Sequence, residues 1–252
     1  MRWKTLENMT VDELKDKIDK INLPKHVGII MDGNGRWAKK RFLTRNFGHQ
    51  EGMKRVIEIV GVASNMGIES LSLFAFSTEN WKRPETEIKG LMSILVQFIK
   101  NELDKLHKNN IKIQIMGDIN KLPKLPREEV IRAVEKTANN DKMILNICLN
   151  YGSRDEIIFG IKGLLKDMEM GNILLEDLNT DSFSDYLYTK GQADLDLLIR
   201  PSGELRLSNF MLYQAAYAEL YFSDMLWPDF WEKYFLLSLI DYQKRNRRFG
   251  GI

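Results

Sequence analysis

The chain has 252 residues, with 37 Lys and Arg against 35 Asp and Glu, for a formal net charge of +2. That balance excludes a dedicated polyanion or nucleic-acid binder, which would carry a large excess of one sign. A composition that is 44% hydrophobic and 29% charged excludes a disordered chain, and a single Cys148 excludes a disulfide framework or multi-cysteine zinc site and fits a reducing cytosol.

No apolar run approaches the roughly 20 residues that span a bilayer, and the charged N-terminus MRWKTLENMTVDELKDKIDK lacks the apolar core of a signal peptide. The expected location is therefore cytoplasmic, with peripheral association at the inner membrane face left open. No repeat or Pro/Gly/Ser linker divides the sequence, so a single domain over 1–252 is expected, with 1–23 as a helical extension.

Taken in chain order, short β-branched and aromatic runs alternate with longer segments of helical spacing. A strand is expected at 27–31, a helix near 36–65, and a strand at 71–76. The clearest helix covers 86–108, where Ile88, Leu91, Met92, Leu95, Phe98, Ile99, Leu103 and Leu106 follow i, i+3, i+4, i+7. Strands follow at 111–116, 143–149 and 195–199, with a weaker one at 220–222; helices are expected near 127–139, 153–169 and 230–246. Short, nearly continuous apolar strands alternating with helices indicate an α/β domain with a mostly parallel sheet of about six strands, covered on both faces.

Several of these strands end in polar, arginine-bearing clusters: 32–36 (DGNGR), 77–83 (STENWKR), 117–118 (GD), 150–154 (NYGSR) and 200–204 (RPSGE). If the strands are parallel, the clusters meet on the one edge where open α/β sheets bind ligands. In HVGIIMDGNGRWA a buried strand delivers Asp32, and Gly33 and Gly35 let the backbone turn tightly beside a ligand. The helix that follows offers free N–H groups to an anion, although Arg36, Lys39, Lys40 and Arg41 crowd cations into its first turns. The segment matches neither a P-loop nor a dinucleotide fingerprint.

In FAFSTENWKRP, each of Ser77, Thr78, Glu79 and Asn80 could serve as a helix cap. Trp81 and Arg83 together supply an apolar wall and a guanidinium, which suits an amphipathic ligand. In DLLIRPSGELRLSNF, Arg200 and Arg206 flank a turn, and planar bidentate donors suit phosphate oxygens. Glu219, an acid in an apolar stretch, requires an arginine or a metal as its partner. His26 and His49 lie beside the first motif, whereas His107 sits in a polar helix end. Absence of HExxH and GxSxG disfavours a zinc enzyme or an α/β-hydrolase. Cys148 reads as a small core residue. The basic run at 244–248 reads as a solvated tail, a membrane contact or a phosphate clamp.

These segments together resemble the cis-prenyltransferase family, the bacterial undecaprenyl diphosphate synthases or isoprenyl transferases. The likeness is carried by HVGIIMDGNGRWAKKR, FGH at 47–49, LFAFSTENWKRP, NYGSRDEI, IRPSGELRLSNF and YAELYFSDMLWPDF, in order from about residue 24 to the RRFGG end. The resemblance implies a single-domain fold with an apolar tunnel, and sequential condensation of isopentenyl diphosphate onto an allylic diphosphate, expected to be farnesyl diphosphate. It implies a long polyprenyl product of the undecaprenyl carrier-lipid type used in cell-wall synthesis.

Residue by residue, the resemblance implies that Asp32 and Glu219 hold Mg²⁺. It assigns Gly33, Asn34, Gly35, Arg36, Trp37, Arg45 and His49 to the allylic diphosphate. Arg200, Arg206, Leu207 and Ser208 go to isopentenyl diphosphate, and Ser77, Thr78, Glu79, Trp81 and Arg83 to the reaction centre. The family assigns Asn80 to proton removal; a neutral amide is a poor base, so it is expected to orient substrate or water. A homodimer is implied, with Arg247 or Arg248 serving the neighbouring subunit, delivery of product to the membrane, and no nucleic-acid partner. Pro201, Ser153 and Tyr213 depart from the common Thr, Gly and Trp. A short- or medium-chain synthase and a non-catalytic phosphate-binding partner subunit are the alternatives.

Overall fold

The computed structural model describes residues 6–246. Its helices are α1 (Val11–Lys17), α2 (Asn34–Lys40), α3 (Arg45–Met66), α4 (Glu85–Lys108), α5 (Lys124–Lys136), α6 (Ser153–Glu169), α7 (Thr180–Ser184) and α8 (Glu232–Lys244). The strands are β1 (His26–Ile29), β2 (Ser70–Ser77), β3 (Ile111–Met116), β4 (Met143–Tyr151), β5 (Leu197–Pro201) and β6 (Glu219–Ser223). They form one sheet in the order β3-β4-β2-β1-β5-β6, and every pairing is parallel. A single α/β domain with a six-stranded parallel sheet is thus what the alternating pattern anticipated.

The strands are buried on both faces because helices cover both. Leu71, Leu145, Leu197 and Ile199 have no measurable exposure. One core joins the sheet to α3, α4 and α8; a second, around Cys148, Tyr151, Leu198 and Phe210, lies on the other side. Cys148 sits in that second core, 3.8 Å from the Met116 sulfur, and burial pushes its thiol well up, consistent with a packing role.

The helix expected over 36–65 is broken into α2 and α3. Phe42 takes a positive φ of 58°, and the Thr44 hydroxyl then caps α3 by accepting from the Phe47 N–H. The extension contributes α1, which buries Leu14 and packs on α8 through a Lys15–Glu232 ion pair at 2.7 Å. Arg247 and Arg248, singled out in the sequence, lie outside the described residues.

Parallel strands put all the carboxyl ends on one edge, and there α3 approaches the turn after β1 unusually closely. A Cβ on Gly48 would fall 2.2 Å from the Asn34 carbonyl oxygen, and one on Gly52 would fall 2.1 Å from the Asn34 side-chain oxygen. Only glycine at these two positions, one helical turn apart, lets the helix press against that turn. The contact aims His49, Met53 and Val56 at the space above the sheet.

Candidate active site

Three residues beyond the end of β1, Asp32 stands at the carboxyl edge. Gly33 follows with φ 105°, a conformation that L side chains rarely adopt, and no side chain caps the helix that begins there. The carboxylate is held on both oxygens. Oδ1 accepts from the Gly33 N–H at 2.6 Å; Oδ2 accepts from Arg200 at 2.9 Å and Arg36 at 3.2 Å. Burial alone would raise the Asp32 pKa. The hydrogen bond from Arg200, with the charges of Arg200 and Arg36, outweighs it and holds the acid below its ordinary range.

Arg200 links two loops. Its side chain is only 4% exposed; Nη2 reaches Asp32, while Nη1 donates to the Ser208 hydroxyl at 2.7 Å and to the Arg206 carbonyl. Its Nε is buried without a hydrogen-bond partner among the described residues, which leaves one donor free at the cavity wall. Arg206 is largely exposed and pairs with Glu204, which also meets Arg36 at 3.1 Å.

The other side of the mouth is built by Glu87, whose buried carboxylate accepts from Arg83 at 2.9 Å and Arg45 at 3.0 Å. His49 lies 3.8 Å from it. Burial, with the positive charges of Arg83 and Arg45, pushes the imidazole pKa down to about 4 against the opposing pull of Glu87, so His49 is neutral at pH 7.

Between the two sides a cavity of about 650 Å³ descends from a polar mouth into an apolar interior. Asp32, Asn34, His49, Ser77, Glu79, Asn80, Arg83, Arg200, Arg206 and Ser208 line its polar part. Below them lie Val56, Ala75, Met92 and Leu95, from α3, β2 and α4. Met53 and Ile94 also line a second pocket of about 260 Å³ on the outer face of α3 and α4, with Ile57 and Phe98. The apolar stripe on α4 therefore does two jobs: Leu91, Met92, Ile94 and Leu95 face the cavity, while Ile99, Leu103 and Leu106 pack in the core.

Other sequence-selected residues fall outside the cavity lining. The Trp37 indole donates to Asp229 at 2.7 Å, stacks on Phe47 and is covered by Arg41, 4.1 Å from the ring centroid. Trp81 donates to Asn150 at 2.7 Å and abuts Phe76 edge-on. Thr78 binds Asp155, and Leu207 packs against the second core. Gly33, Gly35, Arg36 and Arg45 form the rim, with Leu226 lying against Gly33 and Arg45 against Gly35. Asn80 accepts from the Ser77 N–H at 3.1 Å, so its amide is oriented by the same strand end that it follows.

Within the chain, Glu219 stands apart from Asp32. It opens β6 in register with Leu197, which pairs with Val27, five residues before Asp32. At about 3.3 Å per residue this puts the two acids about 16 Å apart along the strands, and two strand spacings apart across them, at opposite ends of the sheet. Of the two partners the sequence allowed, Glu219 has the arginine: Arg245 donates to it at 2.8 Å. Within one chain, Asp32 and Glu219 do not meet at a common ion. His26 is likewise at the far edge, bonded to the Ala193 carbonyl and Ser72.

Among the described residues no group of three or more His, Cys, Asp or Glu gathers into a metal cage. The donors that are present nevertheless suit a hard cation. Asp32 offers a carboxylate held ionised, and beside it the Asn34 side-chain oxygen is buried without a hydrogen-bond partner among the described residues. Magnesium commonly takes one or two protein carboxylates and completes its shell with water and substrate phosphates, so Asp32 fits such an ion.

Asn209 and Glu87 were not singled out from the sequence. Asn209 Oδ1 accepts from the Arg154 N–H at 2.9 Å, its carbonyl accepts from Ser153 at 2.8 Å, and its Nδ2 donates to Glu79 at 3.1 Å. One side chain thus ties the loop after β5 to the start of α6 and to the loop after β2. The available signals were its place beside Ser208, and, for Glu87, the i, i+4 spacing from Arg83. Ser153 is used here too: its hydroxyl accepts from the Leu212 N–H at 2.9 Å.

The family model described as "Putative undecaprenyl diphosphate synthase" matches residues 30–250. The chain is 52% identical to an isoprenyl transferase of Clostridium perfringens over 230 residues, covering 91% of each. It is 50% identical to the isoprenyl transferase of Bacillus subtilis over 238 residues, 94% of this chain and 92% of that one. Among solved structures it resembles lavandulyl diphosphate synthase from Lavandula x intermedia, with a TM-score of 0.88 and 34% identity over 92% of this chain and all of that one. It also resembles a probable undecaprenyl diphosphate synthase from Campylobacter jejuni, with a TM-score of 0.76 and 34% identity over 91% and 99% of the two chains. A cavity that is arginine-rich at its mouth and apolar below, in a fold shared with these enzymes, makes this chain a transferase of the cis-prenyltransferase family, to which the undecaprenyl diphosphate synthases belong.

Proposed function

We propose that the chain catalyses Mg²⁺-dependent, sequential cis-condensation of isopentenyl diphosphate onto an allylic diphosphate, with farnesyl diphosphate as starter and a long polyprenyl diphosphate of undecaprenyl type as product. The observation that carries this reading is the two-part cavity: guanidinium groups and Asp32 at its mouth, and only apolar side chains in its depth. Two diphosphates repel each other, and converging arginines in a partly enclosed site offset that repulsion better than they would in water.

Arg200, Arg206 and Ser208 hold the diphosphate of isopentenyl diphosphate. The uncapped N–H groups after Gly33, with Arg36, receive the allylic diphosphate, and neutral His49 and Arg83 bound it on the other side. Asp32 would hold the magnesium ion, which would supply charge neutralisation for the departing diphosphate. Asn80, oriented by Ser77, positions the proton that leaves as the new double bond forms. Val56, Ala75, Met92 and Leu95 exclude water from the growing tail. Small Ala75 leaves room beside the centre, and rotation of Met53 and Ile94 would join the outer pocket to the cavity, which favours long products over short ones.

The enzyme works as a homodimer and delivers its product to the membrane. The exposed apolar face of α6, with Ile158, Phe159 and Leu165 each about half exposed, supports a second copy as a neighbour. Incorporation of labelled isopentenyl diphosphate, with farnesyl diphosphate and Mg²⁺, tests the reaction, and chromatography of the dephosphorylated product tests its length. Turnover should need Mg²⁺ and vanish in Asp32→Ala. A product extended by only one or two isoprene units would refute the long-chain reading, and no incorporation at all would refute the activity.

A further inference from the structure

The connection between α2 and α3, residues 41–44, carries none of the side chains placed above at the substrate site, and the chemistry of its surroundings is unusual. Residues 33–50 contain five basic side chains, Arg36, Lys39, Lys40, Arg41 and Arg45, and no acidic one. Arg41 and Arg45 are paired with Asp229 and Glu87. Lys39 and Lys40 are exposed, and neither ammonium group has a hydrogen bond or ion pair among the described residues. At the tip, Phe42 is 99% exposed, with Leu43 and Phe47 each about 40% exposed beside it.

The loop is not a loose one. The Arg41 and Leu43 N–H groups both donate to the Ala38 carbonyl, and the Phe42 N–H donates to that of Lys39. These bonds hold Phe42 in the left-handed region, an uncommon conformation for a bulky residue, with its ring directed into solvent. Inside the loop, Phe47, Trp37 and Arg41 form a stacked base on which the tip stands. Since α2 rises about 1.5 Å per residue from the turn at Asp32, the tip projects roughly 10 Å from the rim of the cavity.

We propose that this tip is a docking point for an anionic lipid bilayer. Phe42 and Leu43 enter the boundary between headgroups and acyl chains, while Lys39 and Lys40 lie against the phosphates. Apolar side chains at a projecting tip, flanked by unpaired lysines, suit a planar interface that is greasy below and negative above. A protein or nucleic-acid partner fits less well, since the tip is convex and offers no groove. Docking there sets the mouth of the cavity beside the membrane. The inference rests on the loop itself and does not depend on which prenyl product is made.

Flotation of the full chain with vesicles of phosphatidylglycerol and phosphatidylcholine in equal parts, against phosphatidylcholine alone, is the test. Binding should require phosphatidylglycerol and weaken with salt. Lys39→Glu/Lys40→Glu should lower partitioning by at least about 25-fold, at roughly fivefold per basic residue removed. Phe42→Ser/Leu43→Ser should lower it by about tenfold or more while leaving turnover in detergent unchanged, which also shows that the variant is folded. Lys108→Glu/Lys142→Glu, at the opposite edge of the sheet, should bind as wild type does. Wild-type protein that fails to float with phosphatidylglycerol vesicles, or tip variants that float as well as wild type, would overturn the proposal.

Discussion

Replacing Arg200 with lysine isolates what the planar guanidinium does, because the charge remains and the fork is lost. In the structure that fork spans Asp32 on one side and Ser208 with the Arg206 carbonyl on the other, from a side chain that is 4% exposed. A lysine ammonium at this depth can satisfy Asp32 or the loop, but it cannot bridge both. The minimum loss is one or two hydrogen bonds from a charged donor, each worth about 1.5–3 kcal/mol when buried. The open mouth admits water, which recovers part of this, so a net loss of about 3 kcal/mol is expected. That corresponds to roughly a hundredfold in kcat/KM for isopentenyl diphosphate. The same change should lower Tm by several degrees, at about 2–4 °C per kcal/mol for a chain of this size. Initial rates of labelled isopentenyl diphosphate incorporation, with calorimetry alongside, would measure both. Arg200→Lys within threefold of wild type would refute the claim that the planar bridge organises the site.

His49 should make stability pH-dependent in a defined window. Its folded pKa of about 4 lies below the ordinary 6.5, so the unfolded chain binds the extra proton first. Stability should therefore fall as pH drops from 6.5 towards 4, by about 3 kcal/mol in total from this residue, and be unaffected above 6.5. Urea unfolding at several pH values should show that His49→Gln flattens this slope; an unchanged slope would mean that the imidazole is not the group responsible. Asn209→Asp keeps the oxygen that accepts from Arg154 but places a second carboxylate against Glu79, whose pKa is now held down despite burial by its own backbone and by Asn209, Ser77 and Thr78. The low-pH limb of the kcat/KM profile should move upward and its plateau drop by about tenfold, a loss on the order of one charge-assisted hydrogen bond. A purely structural role for Asn209 would leave the limb where it is.

Much of the active site was legible in the sequence because its parts are local. The DGNGR turn needs only a glycine that tolerates positive φ after a buried strand. The alternation of apolar runs with helical spacing dictates a covered parallel sheet, and once the strands are parallel their polar ends must share an edge. Asp32, Asn80, Arg83, Arg200, Arg206 and Ser208 reach one cavity for that reason.

What a residue faces, rather than which loop carries it, was settled by long-range pairing. Glu219 reads as one more acid in a motif, yet the register of β6 on β5 places it at the amino edge, with Arg245. Trp37 and Trp81 sit at the right edge of the sheet, but Asp229 and Asn150, distant in sequence, draw both indoles out of the cavity. The α4 periodicity could not distinguish core from tunnel wall, since both demand the same apolar spacing; the position of α3, pressed in through Gly48 and Gly52, made one end of that stripe a cavity wall and left the other in the core. The sequence by itself determined which side chains arrive at the edge of the sheet, because turn chemistry and hydrophobic period are local properties. Only the tertiary structure decided which of them converge, because convergence depends on strand register and helix approach between segments up to two hundred residues apart.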